Sequence, residues 1–298
     1  MQFLRHPAER NFSGLPDFFV VGPPRTGTTW LYDVMQGHAN LPRVIKETNF
    51  FDRRYAHGLG WYRRQFTPLV VNLPIGEIDP TYFYSAEARR RISSVIPYAK
   101  IICTLRDPVE RLYSLYKLRR ASGSICYSFE EAVRRDFEMR ESSRYGFHLT
   151  AWFEAFGRDR VLVLLYDQLR EDPQGYIAEI CRFIGIPPFE PGDALYLAKS
   201  GVHTLRSATM GRLSSLAVHL ADTLNANEYK RTMWLIRKLH LRRWFLADAT
   251  FMLPSISPRI GAELRVQMRP EVEALEELLR RDLSGWKAEA LIDAGPPQ

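Results

Sequence analysis

Residues 22–29 read GPPRTGTT, behind the apolar run DFFVV and ahead of WLYDVM, so that a buried strand runs through a glycine-rich turn into a helix. Such a turn offers successive backbone N–H groups to an anion, which is phosphate-loop architecture. Gly22 and Gly27 keep the G-x-x-x-x-G spacing, and Thr29 stands where the hydroxyl residue follows the lysine of an ATP-binding loop, but the lysine position is Thr28. That lysine bridges the terminal phosphates of ATP, so its loss argues against a γ-phosphate with magnesium. The N–H groups of Arg25 to Thr29, the hydroxyls of Thr28 and Thr29 and the charge of Arg25 still suit one phosphate.

A second station follows from LRDPVERLYSLYK (105–117). Asp107 is a good N-cap, Pro108 fits the first helical turn and Glu110 completes a capping box, so the helix starts at Pro108. Arg106 then sits at a strand end beside a helix amino terminus, and Ser114 returns to the same face nearly two turns later. A cation and a hydroxyl at that place suit a second phosphate; an ordinary strand-to-helix turn with a surface arginine accounts for them equally well.

The elements that must position these groups are legible as an alternation. Apolar runs at 17–22, 100–106 and 160–166, and a short one near 70–78, read as buried parallel strands. Helical spacing follows the first (Leu31, Val34, Met35), the third (Leu112, Leu115, Tyr116) and the fourth (Ile177, Ile180, Cys181, Ile184). Alternating strands and helices predict a three-layer, P-loop-like α/β fold, its central parallel sheet flanked by helices and its ligands at the carboxyl ends of the strands. The 298 residues are 46% apolar and 25% charged, without a low-complexity linker or internal repeat. We therefore expect one domain over 1–298 with its core at about 17–286.

Neither a secretion signal nor a membrane-spanning run is evident, which together with three cysteines in no disulfide or zinc spacing predicts a cytoplasmic protein. The formal charge of +7 favours anionic partners without selecting one, and much of the excess is interspersed on helix faces, as in EEAVRRDFEMRE.

Two phosphate stations describe an adenosine phosphorylated on both sides of its ribose, and the chain resembles the sulfotransferases that use 3′-phosphoadenosine 5′-phosphosulfate (PAPS). PPRTGTTW (23–30) is similar to their 5′-phosphosulfate loop and LRDPVERLYSLY (105–116) to their 3′-phosphate motif. KETNFFD (46–52), GLGWY (58–62), GEIDPTYF (76–83), YGFHLTAWFEAFGRDRVLVLLYDQL (145–169), EICRFIGI (179–186) and LEELLRRDLSGW (275–286) resemble bacterial members and the branch that sulfates heparan sulfate. The resemblance runs from Phe18 to Trp286. It implies that Arg25, Thr26, Gly27, Thr28 and Thr29 hold the 5′-phosphosulfate, that Arg106 and Ser114 hold the 3′-phosphate, and that PAPS is the co-substrate with no metal required. Trp30 matches an adenine-stacking tryptophan of the cytosolic branch or is a core residue. Ile78 stands where the glycan branch has a lysine, and Asp79 where it has a small hydroxyl residue.

Sulfuryl transfer needs a group to take the acceptor's proton and positive charge at the leaving phosphate. By the resemblance Glu47 is the catalytic base, with Lys46 and Arg25 as the cations; among the seven histidines only His57, just before GLGWY, competes. The implied partner is a small-molecule, lipid or glycan acceptor, not nucleic acid. Arg206 and Ser207, in a loop at 197–213, are candidates to close over the nucleotide, and the basic aromatic stretch 229–246 suits a packed amphipathic helix or a peripheral membrane contact. The two rival readings are a kinase-like phosphotransferase, which lacks its lysine and its magnesium carboxylate, and a non-catalytic anion-binding module supported by charge alone.

Overall fold

The computed structural model describes residues 14–121, 124–191, 204–205, 246–247 and 256–287. Its strands are β1 (Phe18–Val20), β2 (Gly76–Ile78), β3 (Lys100–Leu105), β4 (Val161–Leu165), β5 (Thr204–Leu205) and β6 (Leu246–Ala247). The first seven helices are α1 (Thr28–Val34), α2 (Gly58–Arg64), α3 (Ala86–Val95), α4 (Pro108–Ala121), α5 (Phe129–Arg135), α6 (Phe137–Glu141) and α7 (Tyr145–Phe156). Four more follow: α8 (Tyr166–Glu171), α9 (Pro173–Ile184), α10 (Pro258–Leu279) and α11 (Ser284–Lys287). The chain divides into two compact units, Met1–Leu105 with Ala151–Ala198, and Arg106–Thr150 with Lys199–Gln298.

The first unit is built on a four-stranded parallel sheet in the order β2-β1-β3-β4, flanked by helices. Phe18 pairs with Gly76 on one side and Lys100 on the other, and β3 pairs with β4 from Ile101↔Val161 to Leu105↔Leu165. Every residue of β1 and β2 is buried, as a sheet covered on both faces requires. On one side Phe18, Val20, Ile78 and Ile102 pack with Trp30, Leu31 and Val34 of α1 and with Tyr176, Ile177, Ile180 and Cys181 of α9. Trp30 is therefore a core residue, set edge-on to Tyr176 with ring centroids 6.3 Å apart.

β2 is the short strand expected near 70–78, and it occupies only the end of that run. The first half of the run is an exposed loop with Val71 81% accessible. The Asn40 side chain holds this loop, accepting from Val70 N–H at 2.7 Å and donating to the Val70 and Leu73 carbonyls at 3.0 Å. These backbone groups are thus satisfied without a neighbouring strand.

In the second unit, Val109, Leu112, Leu115 and Tyr116 of α4 pack with Phe129, Ala132 and Val133 of α5, Met139 of α6 and Leu264 of α10. Strands β5 and β6 pair antiparallel, Thr204 with Ala247. Arg206, Ser207 and residues 229–245 lie outside the described residues. No described helix is long and apolar enough to cross a membrane.

Candidate active site

The loop between β1 and α1 rests directly on β3. A Cβ on Gly22 would stand 1.9 Å from the Thr104 hydroxyl oxygen and 2.4 Å from the Thr104 carbonyl oxygen, so glycine alone permits this approach. Thr26 is fully buried and its hydroxyl donates to the Pro23 carbonyl at 2.8 Å. Having one proton to give, it accepts from the Thr104 hydroxyl at 2.7 Å. Its side chain therefore fastens the loop to the sheet, and what it can offer an anion is its backbone N–H. On either side of it the chain is left-handed, Arg25 at φ 79° and Gly27 at φ 90°. A left-handed residue that is not glycine costs about 1–2 kcal/mol. Alternation of this kind gathers successive N–H groups into an anion-binding concavity. Thr28 is buried at the start of α1, whereas Thr29 is exposed.

Opposite Thr29 lies the segment 46–52. The Lys46 ammonium donates to Thr29 Oγ1 at 2.9 Å and to Glu47 Oε1 at 3.3 Å, and stands 5.7 Å from the centre of the Tyr32 ring. One cation thus ties the loop hydroxyl to the Glu47 carboxylate. Both side chains are open to ligand, at 23% and 37% exposure.

Behind this pair the segment is held from within. Asn49 N–H donates to Asp79 Oδ2 at 2.8 Å, Phe50 N–H to Thr48 Oγ1 at 3.1 Å, and Phe51 N–H to the Tyr82 hydroxyl at 3.2 Å. The Thr48 and Tyr82 hydroxyls in turn donate to Glu77 Oε1, and the Tyr62 hydroxyl to Glu77 Oε2. Glu77 and Asp79 are fully buried. Burial pushes the Glu77 carboxyl up from 4.5 to about 7 against the opposing pull of its three hydroxyl donors. Asp79 is raised well above the usual carboxylate range by burial and by the negative charges of Glu77 and Glu47, although Thr81 donates to it. Ile78, between them in sequence, packs into the core.

In the second unit Asp107 caps α4, its Oδ1 accepting from Val109 N–H at 2.9 Å and Glu110 N–H at 3.0 Å. Its other oxygen takes Arg265 at 2.8 Å, and burial nevertheless raises its carboxyl. Arg106 donates to Glu110 Oε2 at 2.9 Å, and its carbonyl accepts from the Tyr145 hydroxyl at 2.9 Å. Ser114 is buried on the second turn of α4. Thr29, Lys46 and Glu47 are thus joined by hydrogen bonds in the first unit, whereas Arg106 and Ser114 belong to the second. His57 is exposed and stacks on Trp61, ring centroids 5.0 Å apart. Among the described residues no cluster of His, Cys, Asp and Glu is arranged for a metal ion.

A parallel sheet whose first strand turns through a phosphate loop into a helix defines a P-loop-like α/β protein. The sulfotransferase-domain family matches residues 15–207, and the chain belongs to that family. It is 33% identical over 204 residues to human bifunctional heparan sulfate N-deacetylase/N-sulfotransferase 3, covering 60% of this chain and 23% of that one. The Drosophila melanogaster bifunctional heparan sulfate N-deacetylase/N-sulfotransferase is 29% identical over 213 residues, covering 60% and 20%. The chain thus spans under a quarter of the length of the curated relatives it matches. A crystal structure of a sulfotransferase from Alicyclobacillus acidocaldarius shares the fold, with a TM-score of 0.65 at 21% identity over 92% of this chain and 99% of that one.

The sequence reading missed Glu77. Its signal lay in GEIDP, where an apolar residue at 78 between two acids marks a strand that places Glu77 on the face opposite Ile78. The partners that make it more than a solvated edge come from positions 48, 62 and 82 and only meet in the fold.

Proposed function

We propose that this chain transfers the sulfuryl group of PAPS to a hydroxyl or amine and releases adenosine 3′,5′-bisphosphate. The observation that carries the reading is the single ammonium of Lys46 shared between Thr29 of the phosphate loop and Glu47. It brings a proton acceptor and a cation to the loop where the donor's sulfur would lie.

In the proposed step Glu47 takes the proton from the acceptor O–H or N–H, the acceptor atom bonds to sulfur, and the bond from sulfur to the bridging oxygen breaks. The electron pair stays on the oxygen of the 5′-phosphate, where Arg25, Lys46 and the loop N–H groups meet the growing charge. The amides of Arg25 to Thr29 are assigned to the 5′-phosphosulfate, and Arg106 and Ser114 to the 3′-phosphate. Arg106 already has one carboxylate partner in Glu110, so phosphate would have to share or displace that ion pair.

The relatives' names supply an acceptor class to try first, an amine-bearing glycosaminoglycan. Incubation of the protein with PAPS and de-N-sulfated heparan sulfate, beside a panel of phenols, alcohols and lipids, should yield a product heavier by one sulfuryl group. Transfer from ATP with magnesium, and none from PAPS to any member of the panel, would overturn the reading.

A further inference from the structure

The mechanism leaves unused a fully buried carboxyl, Glu77, on β2 and 30 residues beyond the base. Two of its three hydroxyl donors bond onward to the backbone. The Thr48 hydroxyl that donates to Glu77 accepts from Phe50 N–H at 3.1 Å, and the Tyr82 hydroxyl that donates to Glu77 at 3.3 Å accepts from Phe51 N–H at 3.2 Å. Each hydroxyl has one proton, so an acceptor at Glu77 fixes its direction and leaves its lone pair for the backbone. With Asp79 taking Asn49 N–H, three consecutive amides are held, directly or through a hydroxyl, by two carboxyls, one on β2 and one immediately after it. From the other side the Arg54 guanidinium takes the Thr48 carbonyl at 3.1 Å and Arg91 takes the Phe51 carbonyl at 2.8 Å.

We infer that Glu77 is a positioning residue for the proposed transfer: through the Thr48 and Tyr82 hydroxyls it sets the backbone of 48–51 and so aims the adjoining Glu47 carboxylate at the donor loop. The inference rests on the sulfuryl-transfer reading for its rate consequence, but the clamp itself does not.

Two kinds of energetics support it. A buried carboxyl that is raised toward neutrality costs stability at physiological pH, and an apolar residue of the same volume would remove that cost. The cost is tolerable where the group holds a geometry that apolar packing cannot specify. The surroundings agree: Phe50 stacks on Tyr62 with centroids 4.4 Å apart, and Phe51 meets Tyr82 at 6.0 Å. Aromatic packing therefore supplies cohesion here, and the hydrogen-bonded acids supply direction.

The test compares wild type with Glu77→Leu, which keeps volume and removes both acceptor oxygens, and Glu77→Gln, which keeps one. Hydrogen exchange followed by mass spectrometry should show the peptide over 47–52 exchanging at least about tenfold faster in Glu77→Leu, with the 22–29 peptide unchanged, and protection largely restored in Glu77→Gln. With PAPS and the best acceptor of the panel above, Glu77→Leu should lose about 10- to 100-fold in kcat. KM for PAPS and bisphosphate affinity should stay within about twofold, and Glu77→Gln should recover most of the rate. If Glu77→Leu does not fold, Thr48→Val against Thr48→Ser poses the same question, the serine keeping the hydroxyl link.

Unchanged exchange over 47–52 in a folded Glu77→Leu overturns the proposal whatever the nucleotide, and so does faster exchange with an undiminished kcat. Failure of wild type to bind adenosine 3′,5′-bisphosphate is a different result, since it overturns the donor assignment and with it the rate effect. The exchange pattern would then still decide whether the clamp exists.

Discussion

Glu47 and Glu77 are the same chemical group in opposite settings. Glu47 is 37% exposed, bound to a lysine, and faces the phosphate loop. Glu77 has no exposure and accepts from the hydroxyls of Thr48, Tyr62 and Tyr82, and burial lifts its carboxyl to about 7. Access suits the first to exchange a proton with an acceptor; enclosure suits the second to hold a backbone in place. A carboxylate in a phosphate-loop protein is thus assigned a role by what surrounds it, and each substitution below either separates the two settings or collapses them.

The largest effect belongs to the accessible acid. Glu47→Gln should cut kcat by about 100- to 10,000-fold while leaving the affinity for adenosine 3′,5′-bisphosphate nearly unchanged. Steady-state kinetics beside calorimetry reads both. A near-normal kcat would remove the distinction between the two carboxyls.

The enclosed acid should show itself in stability. Its pKa is raised in the fold, so the stabilisation tied to its proton is complete below about pH 4.5 and is lost as pH rises through about 7. Over that window wild type should lose about 3 kcal/mol of unfolding free energy relative to Glu77→Gln, which does not titrate. Urea unfolding at a series of pH values measures this. A pH-independent difference would mean that Glu77 has no raised pKa.

A smaller change is expected in the second unit, where Arg106 pairs with Glu110. Arg106→Ala should weaken binding of adenosine 3′,5′-bisphosphate about 10- to 100-fold, with little change for adenosine 5′-phosphate. Equal weakening of both nucleotides would show that Arg106 does not read the 3′-phosphate. Smallest of all, Lys46→Ala should alter thermal stability by no more than about 1 kcal/mol, since its ion pair with Glu47 is partly exposed. Its consequence should appear in turnover, and a large loss of stability would place Lys46 with the structural groups instead.

How much of this was legible beforehand depends on whether the information was local. LRDPVERL carries its own cap, and the Asp107 carboxylate binds the Val109 and Glu110 amides as its place before Pro108 suggests. The buried strands β3 and β4 read from continuous apolar runs, and the loop from its glycine spacing. Failures occurred where distant residues decide. Val70 and Val71 look like strand but are loop, because Asn40 satisfies the backbone there. Trp30 fits core and adenine-stacking roles equally in the sequence, and it is Tyr176 of α9, distant in the chain, that packs against it. The loop motif likewise does not show that Thr104, on β3, occupies the Thr26 side chain. Glu77 was invisible for the same reason, its three partners being scattered in sequence.

The most direct test of the central claim, a donor loop served by an accessible carboxylate, is the pH–rate profile of sulfuryl transfer from PAPS for wild type and Glu47→Gln, run on protein whose bisphosphate affinity has been matched by calorimetry. The account predicts a wild-type rate about 100- to 10,000-fold above that of Glu47→Gln at the pH of the wild-type optimum, because the variant has no group to take the acceptor's proton. A variant with near-normal turnover and the wild-type profile would contradict it, most decisively if His57→Ala abolished activity instead.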